Sequence, residues 1–78
     1  MNFNGLIKSF EMANSVGDFE KALHILLKAL NLQPNNISIL NKIAEINLKL
    51  KKYTESLIYL RRAAFLDERN SIIQRNLG

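Results

Sequence analysis

Residues 3–36 read FNGLIKSFEMANSVGDFEKALHILLKALNLQPNN, and residues 37–70 read ISILNKIAEINLKLKKYTESLIYLRRAAFLDERN. Laid over each other at a shift of 34 residues, the two stretches share eight identities. Leu6 falls on Leu40, Lys8 on Lys42, Glu11 on Glu45, Leu23 on Leu57, Leu26 on Leu60, Ala29 on Ala63, Leu32 on Leu66 and Asn36 on Asn70. That is roughly three times the chance level for this composition, and a fixed period is the mark of a repeat architecture. Phe19 on Tyr53, Ala22 on Ser56 and Lys28 on Arg62 are conservative pairs at the same shift. Beyond the second unit, Ile73 meets Ile39 and Leu77-Gly78 meets Ile43-Ala44. The chain therefore divides into a first repeat at 3–36, a second at 37–70 and the opening of a third at 71–78, within a single domain spanning 1–78.

Inside each unit the apolar residues recur at three and four, the period of an amphipathic helix. Leu40, Ile43, Ala44 and Ile46 do so. Phe19, Ala22, Leu23, Leu26, Ala29 and Leu30 repeat the pattern, as do Leu57, Leu60, Ala63 and Ala64. Gly17 reads as a helix stop and Asp18 as the next N-cap. Gln33-Pro34-Asn35-Asn36 reads as a turn with an Asn cap before Ile37, and Asn70 or Ser71 is placed to cap a last segment. The spacing predicts five helices, at about 3–16, 18–32, 37–50, 53–67 and 70–78. No segment reads as a strand, so the fold class is all-α.

Composition agrees with a small helical domain. The chain has 78 residues, 47% hydrophobic and 23% charged, with three Gly and one Pro. This is a globular balance rather than a disordered one. The absence of Cys excludes a disulfide framework and a Cys-ligated zinc site. Apolar runs of two to four residues are too short for a membrane span, and the N-terminus MNFNGLIKSFE lacks the layout of a secretory signal. A cytoplasmic location is the expectation. Net charge is +4, and the isoelectric point is near 9.7. This permits an acidic partner without requiring one.

A 34-residue helix–turn–helix period resembles the tetratricopeptide repeat, whose pattern is W-x2-L-G-x2-Y, then A-x3-F, then A and P. The second unit supplies Leu40-x2-Ile43-Ala44-x2-Asn47, then Ser56-x3-Leu60 and Ala63. The first supplies Ala22-x3-Leu26, then Ala29 and Pro34, with Gly17-Asp18-Phe19 at the turn between its helices. Small residues belong where antiparallel helices cross at about 8–10 Å. Ala44 is accordingly expected to face Ser56, and Ala22 and Ala29 to let their helix approach its neighbours. The departures are specific. Phe10 stands where the family has a small residue, and Ser9 stands at the preceding apolar position. Lys51 replaces the turn Gly, and Glu68 replaces the second Pro. A lysine in a left-handed conformation costs about 1 kcal/mol, and the Glu68 turn is expected to be looser.

The resemblance implies a superhelix of stacked hairpins whose first helices line a concave face that takes a peptide segment of another protein. The family's groove positions fall here on Asn4, Ile7, Lys8, Glu11, Asn14 and Ser15 in the first repeat. In the second they fall on Ser38, Asn41, Lys42, Glu45, Leu48 and Lys49, and in the third on Ile72, Arg75 and Asn76. The Asn side chains both donate to and accept from a peptide backbone. Lys8, Lys42, Lys49 and Arg75 favour a carboxylate or an acidic segment, while Ile7, Leu48 and Ile72 offer apolar pockets. The subtype that clamps acidic C-terminal tails is not matched, because Ile7, Glu11 and Lys42 replace the Lys and two Asn of its clamp.

No catalytic constellation accompanies these residues. His24 is the one His, on the outward face of its helix, with no nucleophile or orienting group to pair with it. There is no Gly-rich phosphate loop and no metal-ligand spacing, so no enzyme activity, cofactor or metal is expected. Lys49-Leu50-Lys51-Lys52 and Arg61-Arg62 are basic clusters of the kind that bind nucleic acid, but Glu45, Glu55, Asp67 and Glu68 dilute them. An RNA-binding helical repeat is the lesser alternative to a protein-binding one. Leu27, Ile58 and Phe65 fall at offsets that are usually polar and form a candidate self-association patch. A solenoid end without a polar cap exposes apolar surface. The expectation is therefore either a homodimer through the uncapped C-terminal end or an N-terminal piece of a longer protein, and the resemblance implies that such a piece recruits substrates for a larger enzyme such as a transferase.

Overall fold

The computed structural model describes the backbone of residues 2–77 and the side chains of residues 2–69. Four helices follow one another: α1 (Phe3–Ser15), α2 (Phe19–Leu32), α3 (Ile37–Lys49) and α4 (Tyr53–Leu77). No strand occurs among the described residues. Consecutive helices pack in order, α1 on α2, α2 on α3 and α3 on α4. The result is two helical hairpins laid side by side.

Each of the first three helices starts on a side chain that satisfies a free backbone donor. The Asn2 carboxamide oxygen accepts from the Gly5 N–H at 2.7 Å, the Asp18 carboxylate from Lys21 at 3.2 Å and the Asn36 carboxamide oxygen from Ile39 at 3.1 Å. The predicted caps at Asp18 and Asn36 are therefore in place. The Asn36 Nδ2 also donates to Gln33 Oε1 at 2.8 Å, which stiffens the Pro34 turn.

The two turns inside the hairpins share one geometry. The Asp18 N–H donates to the Ala13 carbonyl at 2.9 Å and the Gly17 N–H to the Asn14 carbonyl at 3.1 Å. One period later, the Lys52 N–H donates to the Asn47 carbonyl at 2.8 Å and the Lys51 N–H to the Leu48 carbonyl at 3.0 Å. This is the paired 6→1 and 5→2 arrangement that closes a helix through a left-handed residue. Gly17 takes that conformation with φ 79°, and Lys51 takes it with φ 62°.

The core forms along the helix crossings. Leu6, Phe10 and Ala13 of α1 meet Ala22, Ile25, Leu26 and Ala29 of α2, and these are continuous with Ile39, Ile43 and Ile46 of α3. Full burial of each large aliphatic side chain contributes roughly 1.5–3 kcal/mol. At the second crossing, the buried Ser56 hydroxyl donates to the Ala44 carbonyl at 2.9 Å, as the small residues at both positions predicted. Asn47, also buried, turns its Nδ2 back to the Ile43 carbonyl at 3.0 Å, so its polar head is satisfied inside its own helix. Phe10, which stands where the family has a small residue, is buried in the same core cluster as the fully covered Ala22.

Among the described residues the helix count is four where the spacing predicted five. α4 runs through Asn70 and Ser71 without a break, so neither residue begins a new helix and the loosened turn at Glu68 is no turn. The physical cause is visible at the equivalent position one period earlier. Pro34 cannot donate a backbone hydrogen bond and clashes with the preceding turn, and the chain reverses there. Glu68 has its N–H and a good helical propensity, and α4 continues past it.

Candidate functional site

The predicted groove residues belong to α1 and α3, the first helix of each hairpin. Asn4, Lys8, Glu11 and Ser15 are exposed on α1, and Ile7 and Asn14 are half-buried. Ser38, Asn41, Glu45, Leu48 and Lys49 are exposed on α3, and Lys42 is half-buried. Ile72, Arg75 and Asn76 lie outside the residues whose side chains are described. The steps of three and four between these positions keep each set on one helical face. Lys8 with Glu11 and Lys42 with Glu45 form matching rungs one period apart.

One contact joins the two rows. Lys49 Nζ lies 3.5 Å from the Asn14 carboxamide oxygen, reaching from the end of α3 to the end of α1. The same ammonium sits 4.9 Å from the centroid of the Phe19 ring at the start of α2. Lys49 therefore ties three helices together at one edge of the face, with a cation–π contact and a hydrogen bond sharing its charge. Lys8 and Lys42 occupy the interior of the rows, each three residues before its glutamate, Glu11 and Glu45 respectively.

A concavity lies elsewhere, between α1 and α2. It measures about 530 Å³ and is floored by Leu6, Met12, Ala13, Val16 and Ile25, with Lys21, His24 and Lys28 along its α2 side. Sequence reasoning placed no site there. It assigned His24 to an outward surface, and His24 is exposed as expected. The usable signal was the pairing of Met12 and Val16 at helical spacing on a helix whose other apolar face was already spoken for by Phe10 and Ala13. Ile58 and Phe65, seven residues apart on α4, are exposed on one face, and Arg69 lies 5.9 Å from the Phe65 ring centroid. Leu27 sits on a different helix, α2, at the position equivalent to Arg61, and is also exposed.

Among the described residues, no helix is long and apolar enough to cross a membrane, and no three His, Cys, Asp or Glu side chains gather as metal ligands. The arrangement offers hydrogen-bonding and charged side chains on α1 and α3. Comparison with curated proteins and with solved structures gives no match. The sequence pattern of the tetratricopeptide repeat matches residues 12–36 and 37–70. The first match takes in the end of α1 and all of α2, and the second takes in α3 and α4 as far as Asn70. With the 34-residue period, the hairpin packing and the shared turn geometry, these matches make the chain a member of the tetratricopeptide repeat family, whose repeats serve in general as protein–protein interaction modules.

Proposed function

We propose that the paired faces of α1 and α3 bind an extended, carboxylate-bearing segment of another protein. The observation that carries this reading is the repeated rung of Lys8 and Lys42 at matching positions of α1 and α3. Lysines held at matching positions on two parallel-running first helices present two cationic points to one chain crossing both. Asn4 and Asn41 flank them as donors and acceptors for the peptide backbone, and the exposed Leu48 adds an apolar contact. Glu11 and Glu45 next to these lysines restrict which carboxylates fit, which favours specificity over bulk attraction. The chain binds and positions, and no bond-making step is assigned to it.

The test is calorimetric titration with acidic, neutral and basic peptides of about 12 residues, long enough in extended form to cross both helices. Acidic peptides are expected to bind. Lys8→Glu and Lys42→Glu should each weaken binding by about tenfold, one charge-assisted contact's worth. Equal binding of acidic and basic peptides, or indifference to both substitutions, would overturn the reading. A generic single-stranded RNA at about 50 mM salt provides the contrast, since phosphate-driven binding is strongest there. RNA retention that outlasts Lys8→Glu and Lys42→Glu would assign the basic surface to nucleic acid instead.

A further inference from the structure

The 34-residue period lets each exposed apolar residue be compared with its equivalent in the other hairpin. Ile46 of α3 is 2% exposed because α2 packs on it, whereas Met12, its equivalent on α1, is 72% exposed. The groove beside Met12 is thus the counterpart of the place that α2 occupies against α3, left open on the far side of α1. The reverse comparison exposes a matching ridge. Leu26 of α2 is fully covered, and Phe19 and Leu23 pack against the same core. Their equivalents on α4, Leu60, Tyr53 and Leu57, are 41%, 63% and 47% exposed. Four-and-three spacing places Tyr53, Leu57 and Leu60 in one stripe.

We propose that the α4 stripe of one copy of this chain seats in the α1–α2 groove of a second copy, reproducing between molecules the contact that α2 makes with α3 within one. The charges agree with this docking. Inside the chain, Arg62 donates to the Pro34 carbonyl at 3.0 Å, fixing the second hairpin to the end of α2. At a shift of 34 residues Arg62 falls on Lys28 of the groove and Pro34 falls on Glu68 of the stripe-bearing helix, so the docking would set two exposed residues of opposite charge against each other. Ridge and groove are different surfaces on opposite ends of the molecule. The contact is therefore heterologous, leaves a free ridge and a free groove at each step, and adds copies in a row rather than closing a dimer. This differs from the symmetric C-terminal dimer that an uncapped end alone suggests.

Sedimentation velocity and light scattering of the 78-residue chain, from about 10 µM to about 1 mM, test the docking in the range where weak heterologous contacts populate. The expected result is a mean mass that climbs with concentration and passes the dimer. Met12→Glu blocks the groove and Leu57→Glu blocks the ridge, both at sites exposed in the single chain, with circular dichroism checking that each stays helical. Each variant alone should be monomeric, and an equimolar mixture should give a one-to-one dimer, because one retains its ridge and the other its groove. Lys28→Glu should weaken association about tenfold, and adding Glu68→Lys to the same chain should restore it. The charge pair carries the test if either glutamate substitution unfolds the chain. A wild-type chain monomeric throughout, a mass that stops at the dimer, a Met12→Glu chain that still associates, or a mixture of folded variants that stays monomeric would each overturn the proposal.

Discussion

Lys51 repeats the left-handed backbone of Gly17 one period earlier in the chain, with φ 62° against 79°. Both residues close a first helix through the same pair of hydrogen bonds, so the turn demands the conformation and the residue type does not set it. A lysine there strains its Cβ against its own carbonyl by roughly 1–2 kcal/mol, which a glycine avoids. Lys51→Gly is therefore expected to stabilise the chain by about 1 kcal/mol, after the glycine's added freedom in the unfolded state is subtracted. Thermal unfolding should shift upward by about 4–8 °C. Gly17→Ala is the reciprocal change. No atom lies within 4 Å of the Cβ it would add, so its cost is purely conformational and should be similar in size and opposite in sign. Equal melting temperatures for wild type and Lys51→Gly would show that the turn tolerates lysine without strain.

Ser56 and Ala44 meet at a crossing with no room to spare, both almost wholly buried. The Ser56 hydroxyl donates to the Ala44 carbonyl at 2.9 Å. Ser56→Ala removes that donor but keeps the small volume, as Ala22 does at the first crossing. It should cost about 1 kcal/mol or less in urea unfolding. Ser56→Leu forces a branched side chain between the helices and should cost at least about 1–3 kcal/mol. The ordering is the check: a leucine tolerated as well as the alanine would mean that α3 and α4 are not held together at this point.

The repeat, the hairpins and the small-residue crossing were legible because each rests on a local rule with a strong signal. The resemblance to the tetratricopeptide repeat set Ala44 opposite Ser56, and Asp18 and Asn36 announced the starts of α2 and α3. The fifth helix was not legible, since Asn70 and Ser71 have the residue types of a cap while Glu68 cannot stop α4. A potential cap forms only where the preceding helix has already ended. Nor was the role of Lys49 legible. Its family position placed it on a binding face, but its long stem lets the ammonium reach Asn14 and the Phe19 ring on two other helices. The open α1–α2 groove escaped notice for a similar reason. Met12 looked like any apolar helix residue until its equivalent, Ile46, proved to be covered.

Lys49 and Phe19 should show measurable coupling. An exposed ammonium over an aromatic face contributes about 0.5–1 kcal/mol. Lys49→Met and Phe19→Leu each remove the contact while keeping apolar bulk. A double-mutant cycle on urea unfolding should return a coupling of about 0.5 kcal/mol or more, with strict additivity removing the contact as a stabilising feature. The same cycle bears on binding studies, because Lys49→Glu would disturb the junction of α1, α2 and α3 as well as any ligand. Lys8 and Lys42 are thus the cleaner positions for charge reversal.

Glu68→Pro tests why α4 outruns α2. Proline at 68 removes the N–H of that residue and clashes with the carbonyl four residues back, that of Ala64, as Pro34 does after α2. The residue before it, Asp67, is also pushed away from helical angles. The helix should then end by about residue 66. If the remaining segment uncoils, the far-UV helical signal falls by roughly a seventh of the chain, and amide exchange beyond residue 66 quickens while that of α1 to α3 stays unchanged. If the segment instead reverses direction as α3 does after Pro34, helicity is nearly retained and Leu57 and Tyr53 lose solvent exposure, which side-chain labelling at Tyr53 would report. Unchanged helicity with unchanged Tyr53 exposure would mean that α4 carries on through the proline as a kinked helix, and that the missing proline is not what makes it long.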